Sequence, residues 1–375
     1  DTGAVYNTGT LSLNNVRVEQ NTSKYDVNSG IHNLGILSGK QLTIHSNSSN
    51  GGNCGIINGE PYGPNSPGAT LILEDSFISG PAYEPYYGCF DFLNVGTAYL
   101  DRLVVSKAGV FNSGKMELTD SSASGGFGSW GELLLDGTTV TNGTSIEIKN
   151  KASILNSTIT GHSNFAGGNH PYAWQAAAYF SGDVTIKNST LGGNTLYDYG
   201  YLDVPYVDDR LTGIMFDGNI SLSNSIIVSS VLLDKGTTAP VYSGFINDGI
   251  LNSDHNLIGD SSLSSSETFT GFTPVPTDII ASSDGTDPTP LTGILDTVTH
   301  WSSELIPRLA DNGGPTQTVA LVPGSPAIDA ADNAACPSTD QRGVSRPLGP
   351  ACDIGAFEAP PSFPPVINLS DLDGS

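Results

Sequence analysis

Short apolar–polar–apolar triplets recur along the first two thirds of the chain: Leu11/Leu13, Leu42/Ile44, Leu71/Leu73, Met116/Leu118, Leu133/Leu135, Ile146/Ile148, Val184/Ile186 and Ile220/Leu222. Alternation with a period of two is the signature of a half-buried strand. A second unit often stands just ahead of a triplet: Gly, two or three apolar or aromatic residues, then Asn. It reads Gly3-Ala4-Val5-Tyr6-Asn7, Gly30-Ile31-His32-Asn33, Gly55-Ile56-Ile57-Asn58, Gly109-Val110-Phe111-Asn112 and Gly244-Phe245-Ile246-Asn247, with a looser copy ending at Asn94. A third short run often follows the triplet, as in Val16-Arg17-Val18, Phe77-Ile78 and Ser225-Ile226-Ile227. The pattern predicts three short strands per period, separated by Asn, Gly, Ser or Asp. Triplet spacing is irregular but centred near the periods of solenoids. Strands this short bury too little alone; stacked coil upon coil they pair in parallel and enclose one apolar column. The expectation is an all-β parallel β-helix over residues 1–260 with inserted loops at about 160–215. An irregular capping or extension region follows over 261–358, and a Pro-rich linker over 359–375. About eight to ten coils at ~4.8 Å each would make a rod roughly 40 to 50 Å long.

Asn7, Asn33, Asn58, Asn94, Asn112 and Asn247 occupy one place in the repeat. Stacked Asn side chains can hydrogen-bond along an axis as a ladder. The plainer reading is that Asn simply populates turns.

Composition narrows the function classes. The chain has 45 Gly and 23 Pro among 375 residues, which suits a turn-rich protein. Its 14 basic and 38 acidic residues give a net charge of −24. That balance argues against nucleic acid, whose affinity comes largely from Lys and Arg on phosphates, and against a membrane surface, which needs basic clusters. No apolar stretch approaches the length of a membrane span. Four Cys suit a secreted chain. Cys54 lies four residues before Asn58 and Cys89 five before Asn94. On neighbouring coils the two would stack about 5 Å apart, within disulfide reach; free thiols are the alternative. Cys336 and Cys352 form a second candidate pair. Metal binding finds no Cys-x-x-Cys and no nearby His in its favour.

Several motifs resemble a known family. Leu309-Ala310-Asp311-Asn312-Gly313-Gly314-Pro315-Thr316-Gln317-Thr318, Pro323-Gly324-Ser325-Pro326-Ala327-Ile328-Asp329, Asp340-Gln341-Arg342-Gly343 and Cys352-Asp353-Ile354-Gly355-Ala356-Phe357-Glu358 resemble the C-terminal region of choice-of-anchor Q bacterial surface proteins. Asn219 to Ile227 and His255 to Asp260 fit the same family's last coils, and the Gly-Ala-Val-Tyr-Asn-Thr-Gly opening looks like the repeats of polymorphic outer-membrane-type proteins. The resemblance implies a right-handed parallel β-helix, secreted and carried at the cell surface, with no settled activity and no catalytic residues to transfer. The stretch from Pro364 to Ser375 looks like the lead-in to FG-GAP repeats, or is a plain Pro-rich linker with an acidic end. The first coil begins without a cap. Raw solenoid edges expose pairing groups, so further sequence or end-to-end self-association is expected.

Candidate chemistry follows two lines. Parallel β-helices that act on polysaccharides use carboxylates on neighbouring coils, as acid and base or as calcium ligands. Asp91, between Phe90 and Phe92, and Asp208-Asp209-Arg210 are the candidates. The other line is aromatic residues interleaved with acids and amides: Tyr83, Tyr86 and Tyr87; His170, Tyr172 and Trp174; Tyr199 and Tyr201. These could stack on sugar faces, or pack the loops onto the rod with their polar tips wet. The leading expectation is a non-catalytic, extracellular structural or adhesive module. Its partners would be glycans or cell-surface components, with no required cofactor and Ca²⁺ as the cation an acidic surface could recruit. The alternative is a polysaccharide-binding or polysaccharide-degrading enzyme.

Overall fold

The computed structural model describes residues 4–23, 30–45, 47–49, 55–60, 68–79, 90–107, 109–141, 143, 145–166, 176–198, 212–228, 231–234, 245–247, 249–299 and 305–361. These build a parallel β-helix. Each coil contributes to three strand columns. In the first coil they are Val5–Asn7, Thr10–Asn14 and Arg17–Glu19. The first two columns belong to one 19-stranded sheet and the third forms an 11-stranded sheet. All pairing in both is parallel, so the solenoid has eleven rungs in its third column, one more than the sequence spacing suggested. The last coil, with Phe269–Thr270 in the first column and Ile279–Ile280 in the third, carries the helix past residue 260. A short fourth column adds to some coils, as in Ser163–Ala166, Thr195–Asp198 and Val231–Asp234.

Inward residues stacked rung upon rung fill the axis, two per rung in the second column, as with Leu71 and Leu73 or Leu133 and Leu135. In the third column these are Val18, Ile44, Ile78, Val105, Ala123, Val140, Ile159, Leu191, Ile227, Ile258 and Ile280, in register and all buried. In the first column Ile31, Ile56, Phe92, Val110, Phe127, Ile146, Ala178 and Ile214 do the same. Apolar burial at roughly 25 cal/mol per Å² is the main term holding such a stack.

The corners explain the polar residues between strands. From the first column to the second, Asn7 donates to Asn33 Oδ1 at 2.7 Å, Asn33 to Asn58 at 2.8 Å, Asn58 to Asn94 at 2.7 Å and Asn94 to Asn112 at 2.8 Å. Each amide also donates to a carbonyl of the next coil, as Asn94 does to Lys115 O at 2.8 Å. Asn112 closes the run on Ser129 Oγ at 3.0 Å. Ile148, Phe180 and Phe216 then take the position. Asn247 therefore stands in the column but outside the ladder, and bonds to Gly249 O and Gly271 O instead. On several coils the residue two positions on is a glycine that the spacing between coils requires. A Cβ on Gly131 would lie 1.9 Å from Gly114 O, and one on Gly114 would lie 2.1 Å from Gly96 O.

From the second column to the third, ten coils turn through one residue at positive φ, among them Asn15, Asp75, Asp120, Asn156, Asn188 and Asn224, at 48–52°. Asn and Asp enter this region most easily among residues with a side chain. The next residue builds another ladder. Ser157 Oγ accepts from Thr138 N at 3.1 Å, Ser189 from Ser157 N at 3.2 Å, Ser225 from Ser189 N at 3.2 Å and Asn256 Oδ1 from Ser225 N at 2.9 Å. Buried backbone donors are thereby satisfied coil by coil.

The C-terminal segment runs back along the rod. Pro307 packs on Gly193 in the eighth coil, and Thr316 donates to Gly137 O in the sixth at 3.0 Å. Gln341 bridges Thr158 and Thr139 at 2.6 and 2.8 Å. Higher up, Asp332 N donates to Asn224 Oδ1 at 2.9 Å and Ala356 N to Thr190 Oγ1 at 3.1 Å. A second apolar cluster, including Ile226, Leu257, Leu295, Val319, Ala327, Ile354 and Phe357, fills the interface. The outward positions Thr139, Thr158, Thr190, Ile226 and Leu257 are consequently buried. Their counterparts nearer the N-terminus are not, with Val104 42% exposed.

Candidate functional site

The outer face of the first column carries a row assembled by register alone. Phe111, Gly128, Glu147 and Tyr179 are in-register outward positions on the fifth to eighth coils. Trp130 sits at the corner of the sixth coil, 47% exposed, with its ring centroid 5.2 Å from that of Phe111 in an edge-to-face arrangement. The empty position at Gly128 gives Phe111 its room, since a Cβ there would lie 3.0 Å from the ring. Trp130 Nε1 donates to Glu147 Oε2 at 3.2 Å. Lys149 pairs with the other Glu147 oxygen, and its ammonium lies 4.8 Å from the Trp130 centroid and 5.7 Å from that of Tyr179. Tyr179 donates through its hydroxyl to Asp217 Oδ2 on the ninth coil at 2.9 Å; burial and that bond raise its pKa. Three rings and two carboxylates thus line one face across five coils. Sequence reasoning missed the row because its members are 17 to 38 residues apart; the register of the strands was the signal that could have found it.

Of the residues singled out in the sequence, Asp91 is described. It is the extra residue of a bulge between Phe90 and Phe92, where the register against Gly109–Asn112 shifts. It takes the place that Gly55 holds one coil earlier, and a Cβ on Gly55 would meet Asp91 O at 1.9 Å. Oδ2 accepts from Gly109 N at 3.2 Å, whereas Oδ1 has no partner and the residue is buried. Burial pushes the carboxyl up to about 7, against the pull of the Gly109 bond. Tyr83, Tyr86, Tyr87, His170, Tyr172, Trp174, Tyr199, Tyr201, Asp208, Asp209, Arg210, Cys54 and Cys89 lie outside the described residues.

Just past the third column of the seventh coil, His162 is fully buried, its backbone N donating to Asn194 Oδ1 at 3.3 Å. Its ring nitrogens make no well-formed hydrogen bond, and burial pulls its pKa down to about 4, so the ring is neutral. The pair repeats on the seventh and eighth coils what Asn21 and Asn47 do on the first two, where Asn21 N donates to Asn47 Oδ1 at 3.1 Å.

The C-terminal motifs converge on a buried charge web. Asp340 holds Arg342 at 2.6 Å, whose guanidinium lies 3.5 Å above the Phe357 ring. Arg346 donates to Asp353 O at 2.8 Å and Gly355 O at 2.7 Å. Glu358 accepts from Leu348 N and Asp353 N at 2.7 and 3.0 Å. Burial raises the Asp353 carboxyl to about 6. Cys336 and Cys352 are bridged beside this web. These groups fasten chain to chain, and their polar atoms are directed inward. Among the described residues no group of three or more His, Cys, Asp or Glu side chains is placed to hold a metal ion, and no helix is long and apolar enough to cross a membrane. No family model, curated protein or solved structure matches the chain.

Proposed function

We propose that the chain is a non-catalytic module of an extracellular surface protein: a stiff rod that presents binding surfaces along its flank, of the choice-of-anchor Q kind its C-terminal motifs resemble. One observation carries this reading. The C-terminal segment seals the third column from the sixth coil upward, while the first-column face keeps the Trp130 ring nearly half exposed and the Asp217 carboxylate toward solvent. A rod covered by its own chain on one flank and bearing polar and aromatic groups on another is suited to adhesion. The Cys336–Cys352 bridge fits an oxidising compartment, and the −24 charge keeps such a rod soluble and offers sites to Ca²⁺.

The test is incubation of the protein with a panel of neutral and acidic polysaccharides, followed by assays for retention and for products. Retention without turnover is expected; new reducing ends or unsaturated products would overturn the reading. Surface location is tested by protease added to intact cells that make the full-length protein, which should cleave it without lysis.

A second reading has its own observation in Asp91. A buried carboxyl held protonated to about pH 7 is the state a general acid requires. Glycoside cleavage would need a second carboxylate opposite it. Turnover lost in Asp91→Asn would favour this reading.

A further inference from the structure

We infer that the first-column row centred on Trp130 is a binding site for an uncharged polysaccharide chain, laid along the rod axis. This rests on the adhesive reading and names the partner's chemistry. Trp130 offers nearly half its surface to solvent, yet the indole is not free to swing. Phe111 meets it edge-to-face and Glu147 holds its N–H at 3.2 Å. A large aromatic surface already fixed in place loses little conformational freedom on binding.

The polar groups point to hydroxyls as the complement. Glu147 and Asp217 each receive a donor from the row itself, from Trp130 and Tyr179. Glu147 is buried and also holds Lys149; Asp217 is exposed, and because a carboxylate has about four lone-pair sites it keeps acceptor capacity at the edge of the Tyr179 ring. Apolar faces bordered by acceptors match a pyranose, which has a C–H face and a rim of O–H donors. Trp130 and Tyr179 stand two coils apart, about 10 Å at the spacing of strands, roughly the length of a disaccharide. A chain along the axis would therefore meet both rings.

Charge selects against acidic glycans. Lys149, the cation nearest the rings, is neutralised by Glu147 and lies over the two rings. With Glu147 and Asp217 beside it, the row is net negative within a chain of net charge −24.

The experiment is affinity electrophoresis of the full chain through gels containing arabinoxylan, galactomannan or laminarin as neutral probes and polygalacturonate or alginate as acidic ones. At least one neutral polymer should retard the protein and neither acidic polymer should. Trp130→Ala should weaken the retardation at least tenfold, with Trp130→Phe intermediate. Tyr99→Ala, which removes an exposed ring from the second column, should leave it unchanged. Melting curves of each variant show that the rod is intact. The inference falls if no neutral polymer retards the protein, if acidic polymers retard it better, or if Trp130→Ala binds as the parent does. Those results would leave the adhesive reading in place, which falls separately if polymer is cleaved.

Discussion

Asp91 and His162 are both buried and titrate in opposite senses across nearly the same range. Asp91 goes from an ordinary 3.8 up to about 7, and His162 from 6.5 down to about 4. Between roughly pH 4 and 7 the folded chain keeps a proton on Asp91 that the unfolded chain releases, so this residue's contribution is full in acid and lost as pH rises. His162 does the reverse: unfolded His takes up a proton that the folded ring refuses, and stability is lost as pH falls. The two slopes offset in the parent protein. Asp91→Asn should therefore melt higher than the parent at pH 8 and show a new loss in acid, while His162→Asn should show a new loss toward pH 7. Melting temperature against pH for the three proteins checks both. The corner glycines are a matter of space. Gly131→Ala must displace backbone, because its Cβ would lie 1.9 Å from Gly114 O, and is expected to cost about 3 kcal/mol in urea denaturation.

The Asn ladder is an element whose strength lies in its continuity. Asn94→Ala leaves Asn58 without its acceptor and Asn112 and Lys115 O without their donor. Stranding buried polar groups costs about 1–3 kcal/mol, so a loss of about 3 kcal/mol is expected. Asn247→Ala, which removes bonds to two glycine carbonyls and one from Gly249 N but breaks no side-chain ladder, should cost about 1 kcal/mol. Urea midpoints of the two variants test the difference. The ladder positions could be read from the sequence because Asn recurs three or four residues after Gly at most of them. That the run stops at Ser129 could not, since Ile148, Phe180 and Phe216 are ordinary strand residues until register places them in the same column. The Ser157–Ser189–Ser225 ladder was hidden for a different reason: serine between strands looks like any turn, and only the parallel stack gives each hydroxyl a backbone N–H below it. The Trp130 row was hidden for the same reason as the end of the Asn ladder.

At the scale of the whole molecule, strand periodicity revealed the solenoid, but the return of residues 281–361 along its flank has no periodic signal. That path is set by single contacts such as Gln341 with Thr139 and Thr158. Cys336 and Cys352 lie 16 positions apart in this segment, and replacing both with Ser is expected to lower stability by about 3 kcal/mol. Hydrogen exchange should then rise in the third column around Thr190 and Ile226 and stay unchanged around Val18 and Ile44, which the segment does not touch. The same path has a mechanical side. Tension arriving through Pro361 reaches the rod near Thr190, several coils short of its last rung, by way of Ala356 and the Asp340–Glu358 contact. A solenoid pulled from its tip unzips one coil at a time. Pulled from its side through a strap fastened to several coils, it resists in shear, with many bonds loaded together.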